Sequence, residues 1–212
     1  MLAKQHRKKL QQQYKKIVYK LFQWKHGRIK GTIQATAHPK VDVKTVQMDP
    51  HSCHHVYRIH GGRLYTDRIH DTAVLIDQHV ITGPSFQYRG QFTHEAHLMH
   101  KHAELNLTHR IGTPRPLKHL KGSVLSLLTG GGGNNNYFHW LYDVLPRLAI
   151  CEQLCKREQI DYFLLPSDHL RFQRESLCML NIPKEKQLLS KTYRHILADT
   201  LYVTDHPTLN LS

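Results

Sequence analysis

The alternation of apolar and polar residues divides the chain into three stretches. In residues 1–35, Leu2, Leu10, Tyr14, Ile17, Val18, Leu21 and Phe22 recur at near-helical spacing, and Trp24 follows. Lysines and glutamines fill the other faces, so this stretch predicts a basic amphipathic helix ending near His26-Gly27. In residues 36–118 the period falls to two. Val56–His60, Arg63–Thr66, Thr72–Ile76 and His79–Thr82 read as short strands, split by Gly61-Gly62, Asp71 and Asp77-Gln78 and closed by Gly83-Pro84. They predict an antiparallel meander of hairpins, with one further helix over residues 93–106. In residues 119–212 strands and helices alternate. Strand Ser123–Leu128 leads to a helix over Tyr137–Arg157, and strand Asp161–Leu165 to a helix over Leu170–Leu180. Strands at Gln187–Ser190 and Thr200–Thr204 follow. Units of this length predict a parallel, Rossmann-like sheet. The expected fold is therefore α/β, an antiparallel β-hairpin region followed by a partial Rossmann-like parallel sheet with helices. About half of such a sheet fits before Ser212, so Thr200–Thr204 is expected at an unpaired edge.

Charge changes the picture at one end only. The net charge is +14, but residues 1–41 hold eleven Lys/Arg and no acid, while the rest holds 19 basic against 16 acidic residues. A basic groove over the whole body is therefore not expected, and nucleic acid is not an expected partner. The N-terminal helix instead suits either of two placements: docked on the body with its polar face in solvent, or lying on an anionic membrane surface through residues 1–26, with Phe22 and Trp24 at the interface. No apolar run reaches the ~20 residues that cross a bilayer. The polar N-terminus carries no signal-peptide core, so the expected location is cytoplasmic, peripheral on the inner face of the membrane. Cys53, Cys151, Cys155 and Cys178 have no CxxC spacing and read as reduced core or near-core thiols.

The candidate chemistry lies in TGGGGNNNYFHWLYDVLPRL, Thr129–Leu148. A strand, a glycine turn and a polar-studded helix form a common setting for phosphate or sugar. Gly132, Gly133, Asn135 and Asn136 would receive such a ligand, and Asn136 would also cap the helix. His139, Asp143 and Arg147 fall at i, i+4 and i+8 on one helical face. They read as a base, its orienting carboxylate and a fixed cation for acceptor hydroxyl or phosphate, with Trp140 beside them. Phe138, Leu141, Val144, Leu145 and Leu148 would make the core stripe, and Pro146 would bend the helix. The glycines match neither a Walker loop nor GxGxxG. The clusters His51, Cys53, His54, His55 and His94, His97, His100, His102 lack zinc-finger spacing, and HEAHL is not HExxH, so no metal ligand set is expected. No serine-nucleophile signature occurs.

The block GGGGNNNYFHWLYDVLPRLAICEQ resembles the signature of family 61 glycosyltransferases, including capsular polysaccharide biosynthesis enzymes. The stretch YFLLPSDHLRFQRESLCMLNIPKEKQLLSKTYRHILADTLYVTDHP is similar to the same family in layout, with Phe172-Gln173, Glu175-Ser176-Leu177, Asn181-Ile182-Pro183 and Ala198-Asp199 in place. The resemblance spans roughly residues 45–208. It implies a GT-B-type, inverting enzyme that uses a nucleotide-sugar donor and a glycan or lipid-linked acceptor, with no cofactor and no obligatory metal. It also implies a second, donor-binding half, which is expected to lie outside these residues. The bet on His139 or Asp143 as general base is drawn from their spacing. The rival expectation is a non-catalytic membrane-surface or nucleic-acid-binding protein, or an inactive fragment.

Overall fold

His195–Thr204 is ten residues long and buried along most of its length, and it organises the molecule. The fold is a computed structural model that describes residues 2–26, 28–50, 52–87, 103, 106–108 and 112–207. Helix α1 spans Leu2–His26. Strands β1 (Gly31–Gln34), β2 (Val41–Asp49), β3 (Ser52–His60), β4 (Arg63–Thr66), β5 (Asp71–Ile76), β6 (His79–Thr82) and β7 (Phe86–Gln87) follow. Then come β8 (Lys118–Ser126), a helical stretch, β9 (Tyr162–Leu165), a helix over Arg171–Met179, β10 (Gln187–Leu189) and β11 (His195–Thr204).

Among the described residues these eleven strands make one mixed sheet, in the order β1-β6-β5-β4-β11-β8-β9-β10. The β8–β11, β8–β9 and β9–β10 pairs are parallel, whereas β4–β5, β5–β6, β2–β3 and both pairings of β11 with β3 and β4 are antiparallel. The mixed α/β class is as expected. The two stretches read as separate from the sequence, however, share one sheet. They also share one core: Leu64, Val74, Ile76 and Ile81 of the antiparallel strands cluster with Val124, Leu128, Leu164 and Leu188. On the other face, Leu125, Leu127, Phe163, Leu165 and Tyr202 pack under the helices through Trp140, Val144, Leu148 and Leu177. The faces alternate residue by residue along β8, β9 and β11, as the pleat requires.

Three expectations are corrected. Thr200–Thr204 is not an edge, because β8 flanks it on one side and β3 on the other. Gly61-Gly62 is not a hairpin either. β3 and β4 both run antiparallel to β11, pairing first with Thr200–Thr204 and then with His195–Leu197, so the chain passes straight through the glycines. There it changes its other neighbour from β2 to β5. A Cβ on Gly62 would stand 2.7 Å from Leu201 Cβ, so only glycine fits this crossing. Finally, β1 pairs parallel with β6, so the N-terminal stretch contributes an edge strand as well as a helix. The helix expected over residues 93–106 falls largely outside the described residues.

Candidate functional site

The helix expected over Tyr137–Arg157 is broken. α2 (Gly132–Asn135) and α3 (Tyr137–His139) are single turns, a π-helical turn spans Trp140–Val144, and α4 covers Pro146–Glu152. Pro146 has no N–H to donate and its ring crowds the carbonyl of Tyr142. The turn before it widens, and Leu145 N donates to Trp140 O at 3.0 Å, one residue beyond α spacing. The extra residue rotates everything upstream. Phe138, expected in the core, is exposed, whereas Trp140, Asp143 and Arg147 are buried beside Val144 and Leu148.

This rotation sorts the predicted site residues. His139 and Asp143 come together: His139 Nδ1 donates to Asp143 Oδ2 at 2.5 Å. The His139 side chain is 42% exposed and that of Asp143 only 3%. A buried carboxylate thus holds an imidazole whose Nε2 makes no hydrogen bond among the described residues. Arg147 is not a free cation. Its Nε donates to Asp143 O at 3.0 Å, and its Nη1 donates to Thr204 O and Oγ1 at 3.0 and 3.2 Å. The buried guanidinium fastens the helix to the end of β11, so the expected contact with acceptor hydroxyl or phosphate is replaced by a structural one. Trp140 is likewise sealed in the core, its indole N–H donating to Ser176 Oγ at 2.9 Å.

The glycine turn serves the same dyad. The φ of Gly130 is +79°, and α2 then folds directly against His139. A Cβ on Gly132 would lie 2.5 Å from His139 Cδ2, so the bare backbone leaves room for the ring. Gly133 is buried, and the side-chain amide of Gln173 donates to Asn134 O at 3.0 Å. Gln173 lies on α5 (Arg171–Met179) and is itself fully buried. From the other side Asn134 Nδ2 donates to Arg68 O at 3.1 Å, while Gly131 N donates to Ile69 O at 3.1 Å. The glycine turn is therefore stitched to α5 and to the loop after β4. Asn136 caps α3, its Oδ1 accepting from Phe138 N at 2.9 Å, and Asn135 is exposed next to it.

Two partners escaped the sequence reading. His206 Nδ1 stands 3.8 Å from Asp143 Oδ1, and its Nε2 lies 2.7 Å from Thr129 Oγ1, a hydrogen bond. Asp143 is thereby flanked by two imidazoles. On the other face of the sheet end, Asp205 accepts from His55 Nδ1 at 2.6 Å and from Tyr57 OH at 2.8 Å. Burial beside Asp205 pushes the Tyr57 hydroxyl pKa far up, so it remains a neutral donor. Asp205-His206 follows the last strand in the sequence. That position was the available signal, because residues leaving the carboxyl end of parallel strands tend to line sites.

Other polar candidates separate. His54 is buried, Cys53 and Cys178 are exposed and Cys151 is buried, so the expectation of four core or near-core thiols fails for Cys53 and Cys178. Burial raises the Cys151 thiol pKa to about 12, leaving it unreactive. Among the described residues, no three His, Cys, Asp or Glu side chains are grouped to hold a metal ion. His94, His97, His100 and His102 lie outside those residues. Comparisons with family models, curated proteins and solved structures returned no match.

Proposed function

We propose that the chain acts in inverting, nucleotide-sugar-dependent glycosyl transfer during surface or capsular polysaccharide synthesis, with His139 as general base. The observation that carries this reading is the His139–Asp143 pair, a half-exposed imidazole held at 2.5 Å by a buried carboxylate. The carboxylate fixes the ring in the tautomer that leaves Nε2 to receive a proton. In the reaction the acceptor hydroxyl oxygen attacks the anomeric carbon of the donor sugar. Its proton passes to His139 Nε2, the bond from the anomeric carbon to the diphosphate oxygen breaks, and the nucleoside diphosphate leaves with the electron pair. Exposed aromatic rings border the base. Phe138 lies 5.6 Å from the His139 ring and 4.7 Å from the Tyr142 ring, an apolar face suited to the C–H side of a sugar. Asn135 and Asn136 offer polar groups at the same rim.

The parallel strands β8–β11 fit one Rossmann-like half of a GT-B enzyme, and the sequence resemblance supports that assignment. The donor is then a nucleotide sugar and the acceptor a glycan or lipid-linked glycan, met on the cytoplasmic face of a membrane. No helix among the described residues is long and apolar enough to cross one. The test is made in the native host, where any partner is supplied. The gene is deleted and restored as wild type, His139→Ala or Asp143→Asn, and surface polysaccharide is measured by sugar analysis. Deletion should remove one polysaccharide, wild type should restore it, and neither variant should do so at equal protein level. Unchanged polysaccharide on deletion, or full restoration by both variants, contradicts the reading.

A further inference from the structure

α1 is docked by one face only. Phe22 stacks on His26 and His195, with centroids 4.2 and 4.9 Å away, so the ring expected at a membrane interface is turned onto the body. Leu10, Tyr14, Ile17, Leu21 and Trp24 point outward, with exposures of 63, 70, 58, 59 and 86%. They recur at intervals of four, three, four and three residues and so form a single stripe. An exposed apolar stripe of this length marks an interaction surface. Beside it runs a groove of about 650 Å³ between α1 and Pro114-Arg115, lined by Arg7, Lys15 and Arg115 along with Leu10 and Tyr14. The first acidic residue of the chain is Asp42, beyond this helix.

We propose that this face of α1 is an interfacial anchor for an anionic lipid bilayer. The stripe enters the boundary between headgroups and acyl chains, and Arg7, Lys15 and Arg115 take lipid phosphates in the groove. Charge complementarity selects this occupant. A second copy would set Lys20 and Lys25 against the same lysines with no acid to pair them, the opposite of a matched coiled-coil flank. A nucleic acid would satisfy the cations but leave five large apolar side chains in water. The inference uses no part of the glycosyl-transfer reading, and it holds whether or not His139 is a base.

Trp24 supplies a built-in reporter, because the other tryptophan, Trp140, is fully buried. The full chain is mixed with phosphatidylcholine vesicles with and without phosphatidylglycerol, and sedimentation and tryptophan emission are read together. Binding should require phosphatidylglycerol, shift the emission to the blue and disappear at high salt. Each cation near an anionic surface adds roughly fivefold to partition, so Arg7→Gln/Lys15→Gln/Arg115→Gln should bind on the order of a hundredfold more weakly. Leu10→Ser/Ile17→Ser/Leu21→Ser should lose the blue shift, with folding checked by circular dichroism. Equal partition into both vesicle types overturns the proposal. So does dimerisation or duplex RNA binding without any vesicle binding.

Discussion

Gly132 decides how the imidazole sits. A Cβ there would lie 2.5 Å from His139 Cδ2 and 2.7 Å from its Cγ. Gly132→Ala must therefore swing the ring off Asp143, and transfer should fall by tenfold or more while the thermal midpoint moves little. Normal transfer by this variant would mean that the ring geometry is irrelevant. Arg147 is the converse case. Its guanidinium is buried and spends its donors on Asp143 O and Thr204. Arg147→Met leaves those buried acceptors unpaired and should cost on the order of 3 kcal/mol of stability. A denaturant titration checks it, and unchanged stability with a raised acceptor KM would restore the ligand-holding role first expected. The dyad was legible because an i, i+4 pair survives small changes in helix geometry. The burial of Trp140 was not, because Pro146 widens the preceding turn and rotates the face upstream of it by one residue; nor was the role of Arg147, because its partner Thr204 lies 57 residues along the chain. No periodicity argument that assumes a regular helix contains that rotation.

α1 is held through a titratable contact. His195 opens β11 beneath Phe22, His26 and Tyr65, and its Nδ1 donates to Arg115 O at 3.0 Å. Burial, aided by the charges of Arg63, His26 and His119, pushes its pKa from 6.5 down to about 3. The His26 pKa is lowered as well, first by burial and then by Arg63. Because the folded value lies below the unfolded one, the unfolded chain takes up the proton first. The stability contributed by neutral His195 is complete above about pH 6.5 and drains as pH falls towards 3, at up to ~1.4 kcal/mol per pH unit. Thermal midpoints measured from pH 7 to pH 5 should fall steeply for the wild type and less for His195→Gln. Parallel curves would dismiss His195 as the cause. The existence of α1 and its end near His26 followed from spacing alone. Its inward face did not, since Phe22 and Trp24 are equally apolar and only the position of His195 distinguishes them.

Across the whole molecule, the β-rich and α/β stretches are one sheet, and the site depends on both. The loop after β4 holds the glycine turn through Arg68 and Ile69, α5 holds it through Gln173, and the end of β11 brings His206 to Asp143. The strands Arg63–Thr66 and His79–Thr82 were legible residue for residue, because alternation and turn residues are local signals. The joining of the sheet was not, because it turns on β11 sitting between β8 and the β3–β4 pair, a pairing that no local pattern encodes. His139 as the proton acceptor is the assignment on which the proposed chemistry rests. Host membranes lacking the native protein are supplied with wild-type or His139→Ala chain, and sugar incorporation from a panel of UDP-, GDP- and CMP-sugars into glycan is timed. Wild type should restore incorporation, and His139→Ala should slow it by two or more orders of magnitude at an unchanged thermal midpoint. Incorporation by His139→Ala within twofold of wild type would contradict the account.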